Sequence, residues 1–143
     1  MPDDLQQLRA NIERFPKEVT ARLRSVAFRT SREVMARAQA LVPVDTGWTR
    51  DHIHIIEDAA HKQFLVSDGS DRPQVRIALH TSTRSGRMHT QKVTLNMLPN
   101  WIEYGTVKMR ARPFMRPAAD AVLPSYRAEM IAVATQTATE LLK

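Results

Sequence analysis

The sequence predicts an α+β fold with a long N-terminal helix, an antiparallel β-sheet of about four strands, and a C-terminal helix. Near both ends of the chain, apolar residues recur every three or four positions, which is the period of a helix. Between residues 51 and 104 they alternate mainly with polar residues, which is the period of a strand. Terminal helices around a strand region are typical of the α+β class, and 143 residues suffice for a single domain, 1–143.

The first predicted element is a helix over residues 3–41. Its apolar stripe consists of Leu5, Leu8, Ile12, Phe15, Val19, Leu23, Val26, Val34, Ala38 and Leu41. Pro16 lacks a backbone donor, so we expect a kink or a division into two helices near Phe15. Pro43 disfavours helical geometry at Val42 and therefore ends the helix.

A dense turn signal follows at residues 44–47. Asp45 and Thr46 carry side chains that hydrogen-bond nearby backbone N–H groups, and Gly47 tolerates a positive φ. We expect this turn to reverse the chain into the sheet.

Short segments supply the strands of the predicted sheet, residues 51–104. They centre on Ile53–Ile56, Phe64–Val66, Val75–Leu79, Val93–Met97 and Trp101–Tyr104, with a turn at residues 67–70. Residues 81–92 contain no acid and almost no apolar side chain. We therefore expect a mobile loop there, which carries Arg84, Arg87, His89 and Lys92.

Residues 105–117 predict a rigid connector between the sheet and the last helix. Pro113 and Pro117 fix φ on either side of Phe114, so we expect Phe114 to anchor the segment in the core. The connector is basic and has no acid among its cations, which are Lys108, Arg110, Arg112 and Arg116.

The final predicted element is a helix over residues 117–143. Pro117 suits its first turn, and Pro124 is expected to kink it or to split off that turn. Its apolar stripe consists of Tyr126, Met130, Val133 and Leu141.

The charge of the chain points to an anionic partner. The formal net charge is +6 and the sequence pI is about 10.3, which favours binding to polyanions or to acidic protein surfaces. The absence of cysteine excludes disulfides, thiol catalysis and thiolate metal sites. No stretch reaches the roughly 18 apolar residues of a membrane span, so we expect no membrane partner.

Catalytic and metal-binding patterns are weak. The chain has no G-x-S-x-G and no phosphate-binding loop. Asp45 and Glu103 form a conceivable carboxylate pair, but the simpler expectation is that Asp45 caps its own turn. Glu103 is then expected to pair with Arg110, with Arg112 or with the backbone of the turn. We therefore predict no enzyme activity and no catalytic residue.

The most metal-like feature is a pair of histidines. On one strand, His52 and His54 would point to the same face, at a spacing that suits chelation of a divalent ion. Further ligands would have to come from Asp58 or His61. Surface or interface histidines are the preferred interpretation, so we predict no metal and no cofactor.

Nucleic-acid binding is the alternative function. The basic residues of the 81–92 loop and of the connector can neutralise phosphates. However, the few aromatic residues nearby form no recognisable base-stacking motif. A small basic nucleic-acid-binding protein therefore remains the second hypothesis.

Two motifs together resemble a known family. The first is L-V-P-V-D-T-G at residues 41–47, and the second is I-E-Y-G-T at 102–106 followed by A-R-P-F-M-R-P-A at 111–118. Their order along the chain, between a long N-terminal helix and a C-terminal helix, resembles the tail-completion or head–tail joining proteins of long-tailed bacteriophages and phage-like particles. Such proteins include neck and tail-terminator proteins.

The resemblance implies a structural virion protein without catalytic residues. Such proteins form a ring, here expected to be a hexamer, at the tail end or in the neck. The implied partners are other copies of the chain, the tail tube protein and the head connector, with transient contact to DNA passing through the channel. Assembly would take place in the cytoplasm of the bacterial host, and the final location would be the virion.

The candidate site residues fall into two groups. The motif and interface candidates are Pro43, Asp45, Thr46, Gly47, Glu103, Gly105, Thr106, Pro113, Phe114, Arg116 and Pro117. The basic candidates for the channel or a partner are Arg84, Arg87, Lys92, Lys108, Arg110 and Arg112.

Overall fold

The protein has a mixed fold with a long helix at each end of the chain. The computed structural model describes residues 2–43, 47–71, 76–82, 88–94 and 97–141, with side chains for 4–43, 47–71 and 97–141. The elements are α1 (Pro2–Leu41), α2 (Trp48–His52), β1 (His54–Asp58), β2 (Gln63–Ser67), β3 (Arg76–Ser82), β4 (Met88–Thr94), α3 (Leu98–Tyr104) and α4 (Met115–Leu141). No helix in these ranges is long and apolar enough to cross a membrane.

Helices α1 and α4 pack against each other in antiparallel directions. Arg22 of α1 donates to Glu140 near the end of α4 at 2.7 Å. Arg29, which lies later in α1, pairs with Glu129, which lies earlier in α4. The expected division near Phe15 does not occur, because α1 continues through Pro16 as one helix of 40 residues. Likewise, no first turn is split off from α4. An internal proline removes one backbone hydrogen bond, and the surrounding helix tolerates that loss here.

The strands form two sheets of two strands each. Strands β1 and β2 pair antiparallel from His54↔Ser67 to Asp58↔Gln63, and β3 pairs with β4 from Arg76↔Thr94 to Ser82↔Met88. The prediction of one sheet of about four strands is therefore wrong. Alternating polarity identifies strands, but it does not encode which strand edges meet.

The β3–β4 pairing also corrects the predicted loop at 81–92. Residues 81–82 end β3 and residues 88–92 belong to β4, so Lys92 lies on a strand. Arg84 and Arg87 lie outside the described residues. The polar composition of this stretch hid its strand pairing, since a two-stranded ladder buries few side chains.

Residues Trp101–Tyr104 are helical, and the predicted strand there is wrong. They belong to α3, which begins at Leu98 with Pro99 in its first turn. A proline at this position favours helix initiation. A short apolar run cannot be assigned to a helix or a strand by its periodicity alone, which explains the error.

The core lies where the C-terminal end of α1 meets the start of α4. Its buried cluster consists of Ala38, Val42, Ile53, Phe114 and Ala118, with Val34, Met35, Val66, Ile102 and Met115 packed around it. Phe114 is fully buried, so its predicted role as a core anchor is confirmed. The β1–β2 ladder covers α1 nearby, and the rings of Phe28 and Phe64 lie 5.4 Å apart.

Candidate functional site

The carboxylate of Glu103 holds the start of α4. Its Oε2 atom accepts hydrogen bonds from the backbone N–H groups of Phe114 at 2.7 Å and Met115 at 3.0 Å. Its Oε1 atom accepts one from the N–H of Arg116 at 3.1 Å. The first N–H groups of a helix have no partner within the helix and carry partial positive charge. Glu103 therefore satisfies these donors and neutralises that charge from another element.

The two prolines complete this arrangement. Pro113 and Pro117 have no N–H group, so neither adds an unpaired donor. The next donor, the N–H of Ala118, bonds to the carbonyl of Phe114 at 3.3 Å. Every backbone N–H from 114 to 118 is thus paired. This accounting explains why one acid and two prolines occur together in the second motif.

This geometry corrects the expected partners of Glu103. Instead of Arg110 or Arg112, its carboxylate binds the N-terminus of α4. The expected contact with the 45–47 backbone involves residues 45 and 46, which lie outside the described residues. Both oxygens accept from backbone donors, so the carboxylate has a structural role at the start of α4. The other half of the conceivable carboxylate pair, Asp45, lies outside the described residues, as does Thr46.

Residues 105–114 of the connector follow a path fixed by backbone hydrogen bonds. The N–H of Gly105 donates to Trp101 O at 2.8 Å and closes α3. Thr106 and Met109 exchange two bonds of 2.8 and 3.2 Å across a tight turn. The N–H of Arg112 donates to Ile102 O at 2.7 Å. The connector is therefore tied to α3 at both ends.

The two sequence motifs converge on one core. Val42 and Ile53 lie on either side of the 43–47 segment, and both are buried in the cluster that contains Phe114 and Ala118 of the second motif. Gly47 has a φ of 75°, which confirms the predicted positive φ. Residues far apart in the sequence thus depend on each other for packing, which explains why both motifs are needed together.

The cations of the connector region have no acidic partners among the described residues. Lys108, Arg110, Arg112 and Arg116 are exposed, and none forms an ion pair with a described residue. Seven arginines elsewhere pair with carboxylates, namely Arg9, Arg14, Arg22, Arg24, Arg29, Arg37 and Arg50, whereas Arg32 and Arg127 form no ion pair with a described residue. Within the segment itself, Glu103 is engaged by the backbone and no acid occurs between 104 and 119. The result is a patch of uncompensated positive charge on a rigid support.

Exposed apolar side chains adjoin these cations, a feature that sequence reasoning missed. Tyr104 is 79% exposed, Val107 at the tip of the turn is fully exposed, and Met109 is also exposed. We call Tyr104, Val107, Met109 and the cations Lys108, Arg110 and Arg112 the connector patch. A groove of about 570 Å³ lies between the β1–β2 ladder and the start of α4, with Leu65, Tyr104 and Pro113 in its walls. The signal in the sequence was an apolar pair around Lys108 in a polar, basic turn.

The two central histidines do not share a strand face, so that expectation is wrong. His52 ends α2, where its ring stacks on Trp48 with centroids 4.0 Å apart, whereas His54 begins β1. The Nδ1 atom of His52 lies 2.7 Å from Trp48 O, and that of His54 lies 2.8 Å from His52 O. Each imidazole thus uses one nitrogen in a local backbone contact.

The remaining metal candidates pair with each other. His61 Nδ1 lies 2.6 Å from Asp58 Oδ2, and this hydrogen bond holds the pKa of Asp58 below its ordinary value of 3.8. Within the described ranges, no group of three or more histidine, aspartate or glutamate side chains is placed to hold a metal ion.

The chain was compared with protein-family models, with curated proteins and with solved structures, and none of them matches. A functional proposal therefore depends on the residues and their arrangement.

Replacing Glu103 with glutamine should lower the free energy of unfolding by about 1–2 kcal/mol. The amide oxygen of glutamine can still accept a hydrogen bond from the helix, but its NH2 group is a donor and leaves one helix N–H without an acceptor. Thermal unfolding monitored by circular dichroism measures the effect. Glu33→Gln is the matched control, since Glu33 pairs only with Arg37 on the surface of α1. Equal stability of Glu103→Gln and the control would show that the carboxylate does not hold α4.

Proposed function

We propose that this protein is a structural component of the head–tail joint of a long-tailed bacteriophage or phage-like particle. In this role, copies of the chain form a ring that completes or caps the tail tube and docks it to the head connector. The proposal extends the resemblance of the two motifs. The observation that carries it is their convergence on one core, which presents the connector patch in a fixed conformation.

A rigid, charged and partly apolar patch suits docking between proteins. Ordering a loop during association costs conformational entropy, and a connector already held by hydrogen bonds avoids much of that cost. Uncompensated cations give orientation and specificity against an acidic partner surface. Exposed apolar side chains supply contact area that becomes buried when the surfaces meet.

The ring and its partners come from the resemblance. A hexamer is the expected assembly, with the tail tube protein on one side and the head connector on the other. In a closed ring each subunit contacts its neighbours through two different surfaces. Basic residues that faced the central channel would lie beside passing DNA without reading its sequence.

The proposal is tested in particles. Disruption of the gene is expected to leave heads and tails unjoined, or tails of irregular length, in negative-stain images. Mass spectrometry of purified intact particles is expected to detect the protein. Complementation with the wild-type gene is the control and should restore joined particles. Joined, infectious particles that lack the protein would contradict the proposal.

Nucleic-acid binding is the second candidate, and the unpaired cations of the connector patch favour it. It predicts binding to short duplex DNA whose affinity falls steeply with salt, with a logarithmic slope near −0.9 for each phosphate neutralised. Fluorescence anisotropy at several salt concentrations measures this slope. The double variants Arg110→Ala with Arg112→Ala and Arg84→Ala with Arg87→Ala should each reduce it. Weak binding at physiological salt in the wild-type protein would reject this function.

A further inference from the structure

The N-terminal part of α1 extends beyond the packed body of the protein. The contacts of Arg22 with Thr137 and Glu140 place the described end of α4 near the middle of α1. Residues 4–17, which we call the arm, are all exposed or half-buried, and Val26 is the first buried residue in the described part of α1. At a rise of about 1.5 Å per residue, the arm is about 20 Å long.

The arm carries an apolar stripe without a partner among the described residues. Leu5, Leu8 and Ile12 lie on one face at the spacing i, i+3, i+7, and they are 72%, 43% and 56% exposed. This spacing is that of anchor residues by which a helix docks onto an apolar surface. Elsewhere on the arm Arg9 pairs with Glu13 and Arg14 with Glu18, whereas Lys17, at the end of the arm nearer the packed body, forms no ion pair with a described residue.

The tip of the arm is acidic. The first eight residues contain Asp3 and Asp4 and no lysine or arginine. Asp4 is exposed and forms no ion pair with a described residue. The tip of the arm therefore combines exposed apolar side chains with uncompensated negative charge. The connector patch has the complementary composition, with exposed apolar side chains and uncompensated positive charge.

The arm and the connector patch of one molecule cannot meet. The connector is anchored by Phe114, which packs with Ala38 near the other end of α1. At about 1.5 Å per residue, α1 separates Asp4 from Ala38 by about 50 Å. A contact between the two surfaces must therefore join two copies.

We propose that the arm of one copy docks on the connector patch of the next, with the acidic tip at Asp4 facing Lys108 and Arg110. Leu5 and Leu8 then pack against Tyr104 and Val107. Because the two surfaces differ, this contact is heterologous and repeats from copy to copy. Closure of the repeat into a ring rests on the function proposed above, whereas the pairwise contact depends only on the two surfaces.

A charge exchange tests the contact. The arm variant carries Asp3→Lys with Asp4→Lys, and the patch variant carries Lys108→Glu with Arg110→Glu. Each variant alone opposes like charges and should associate at least about tenfold more weakly than the wild-type protein at low ionic strength. An equimolar mixture restores both pairings, because each variant offers the complement of the other. It should therefore regain wild-type association in sedimentation velocity.

The control variant carries Arg32→Glu with Arg127→Glu. Both arginines are exposed, lie outside the arm and the patch, and form no ion pair with a described residue. Because two cations are again replaced by two glutamates, the change in net charge matches that of the patch variant. It should associate as the wild-type protein does. Circular dichroism checks that every variant retains its helices.

Several results would overturn the contact. One is wild-type association that neither variant weakens, and another is a folded mixture that fails to recover. Weakening by the arm variant alone would indicate pairing between arms instead. A wild-type protein that remains monomeric at every concentration would also reject the proposal. If purified particles contain the protein but the mixture of the two variants does not regain association, the contact is rejected and the virion role is not. If the mixture regains association but the particles lack the protein, only the virion role is rejected.

Discussion

Replacing Phe114 with alanine is expected to lower the free energy of unfolding by about 3–5 kcal/mol. The ring is fully buried between the end of α1, Ile53 and Ala118, so its removal leaves a cavity. The cavity cannot collapse easily, because the hydrogen bonds of Glu103 fix the backbone at Phe114 and Met115. Urea unfolding monitored by circular dichroism measures the loss.

Tyr104→Ala and Arg112→Ala are the controls for this prediction. Tyr104 is another aromatic residue of the same region but is largely exposed, and Arg112 is an exposed cation of the connector. Each change should alter the free energy of unfolding by less than about 0.5 kcal/mol. If Arg112→Ala destabilised the protein more than Phe114→Ala, the connector would be held by charge and not by packing.

Replacing Gly105 with alanine is expected to lower the free energy of unfolding by at least about 3 kcal/mol. Gly105 has φ and ψ of 77° and −179°, a conformation that side chains disfavour strongly. An added Cβ would also lie 2.8 Å from both Ala111 N and Met109 O, which are backbone atoms of the adjacent turn. Relief of this contact requires the connector to move away from α3. Thermal unfolding of the variant measures the loss.

Gly47→Ala provides a comparison at an ordinary left-handed position, where ψ is −11° instead of −179°. Gly47 has a similar φ of 75°, but an added Cβ there would meet only side-chain atoms at 3.5 Å. Its replacement should cost about 1 kcal/mol, the usual preference for glycine at positive φ. An equal loss for the two alanine variants would show that neither the ψ of Gly105 nor the close approach of the connector to α3 adds to the cost.

These two stability variants also bear on function. Both Phe114→Ala and Gly105→Ala should disturb the connector patch, so both should weaken docking even at temperatures where the protein stays folded. The charge variants of the patch should weaken docking without loss of stability. Comparing the two classes separates the support of the surface from its chemistry.

The extent of the fold that could be predicted varies between elements. The long helices follow from a sustained 3.6-residue period, and Gln63–Ser67 follows from a short apolar run before a strong turn signal. The sequence predicts a strand at Trp101–Tyr104, because four residues are too few to distinguish the period of a helix from that of a strand. The two separate sheets could not be foreseen, because strand pairing depends on edges that the sequence does not mark.

The candidate site also has one part that the sequence predicts and one part that it does not. Phe114 could be identified as a core anchor, because an aromatic residue between two prolines in a basic segment has few other roles. The partner of Glu103 could not be identified from the sequence. The sequence predicts that Glu103 pairs with nearby arginines, because they are the nearest opposite charges along the chain. In the folded protein the N–H groups that start α4 lie closer and have no other acceptor.

The sequence by itself determined the two terminal helices, the basic character of residues 105–116, and the positive φ at Gly47. These properties arise from local periodicity, local charge and local backbone freedom. Only the tertiary structure decided that Glu103 closes the start of α4 and that the connector cations have no acidic partner in the part of the chain that the structure describes. It also decided that the arm and the connector patch lie at opposite ends of α1. The physical reason is that these features depend on which distant groups meet, and such meetings are set by packing of the whole chain.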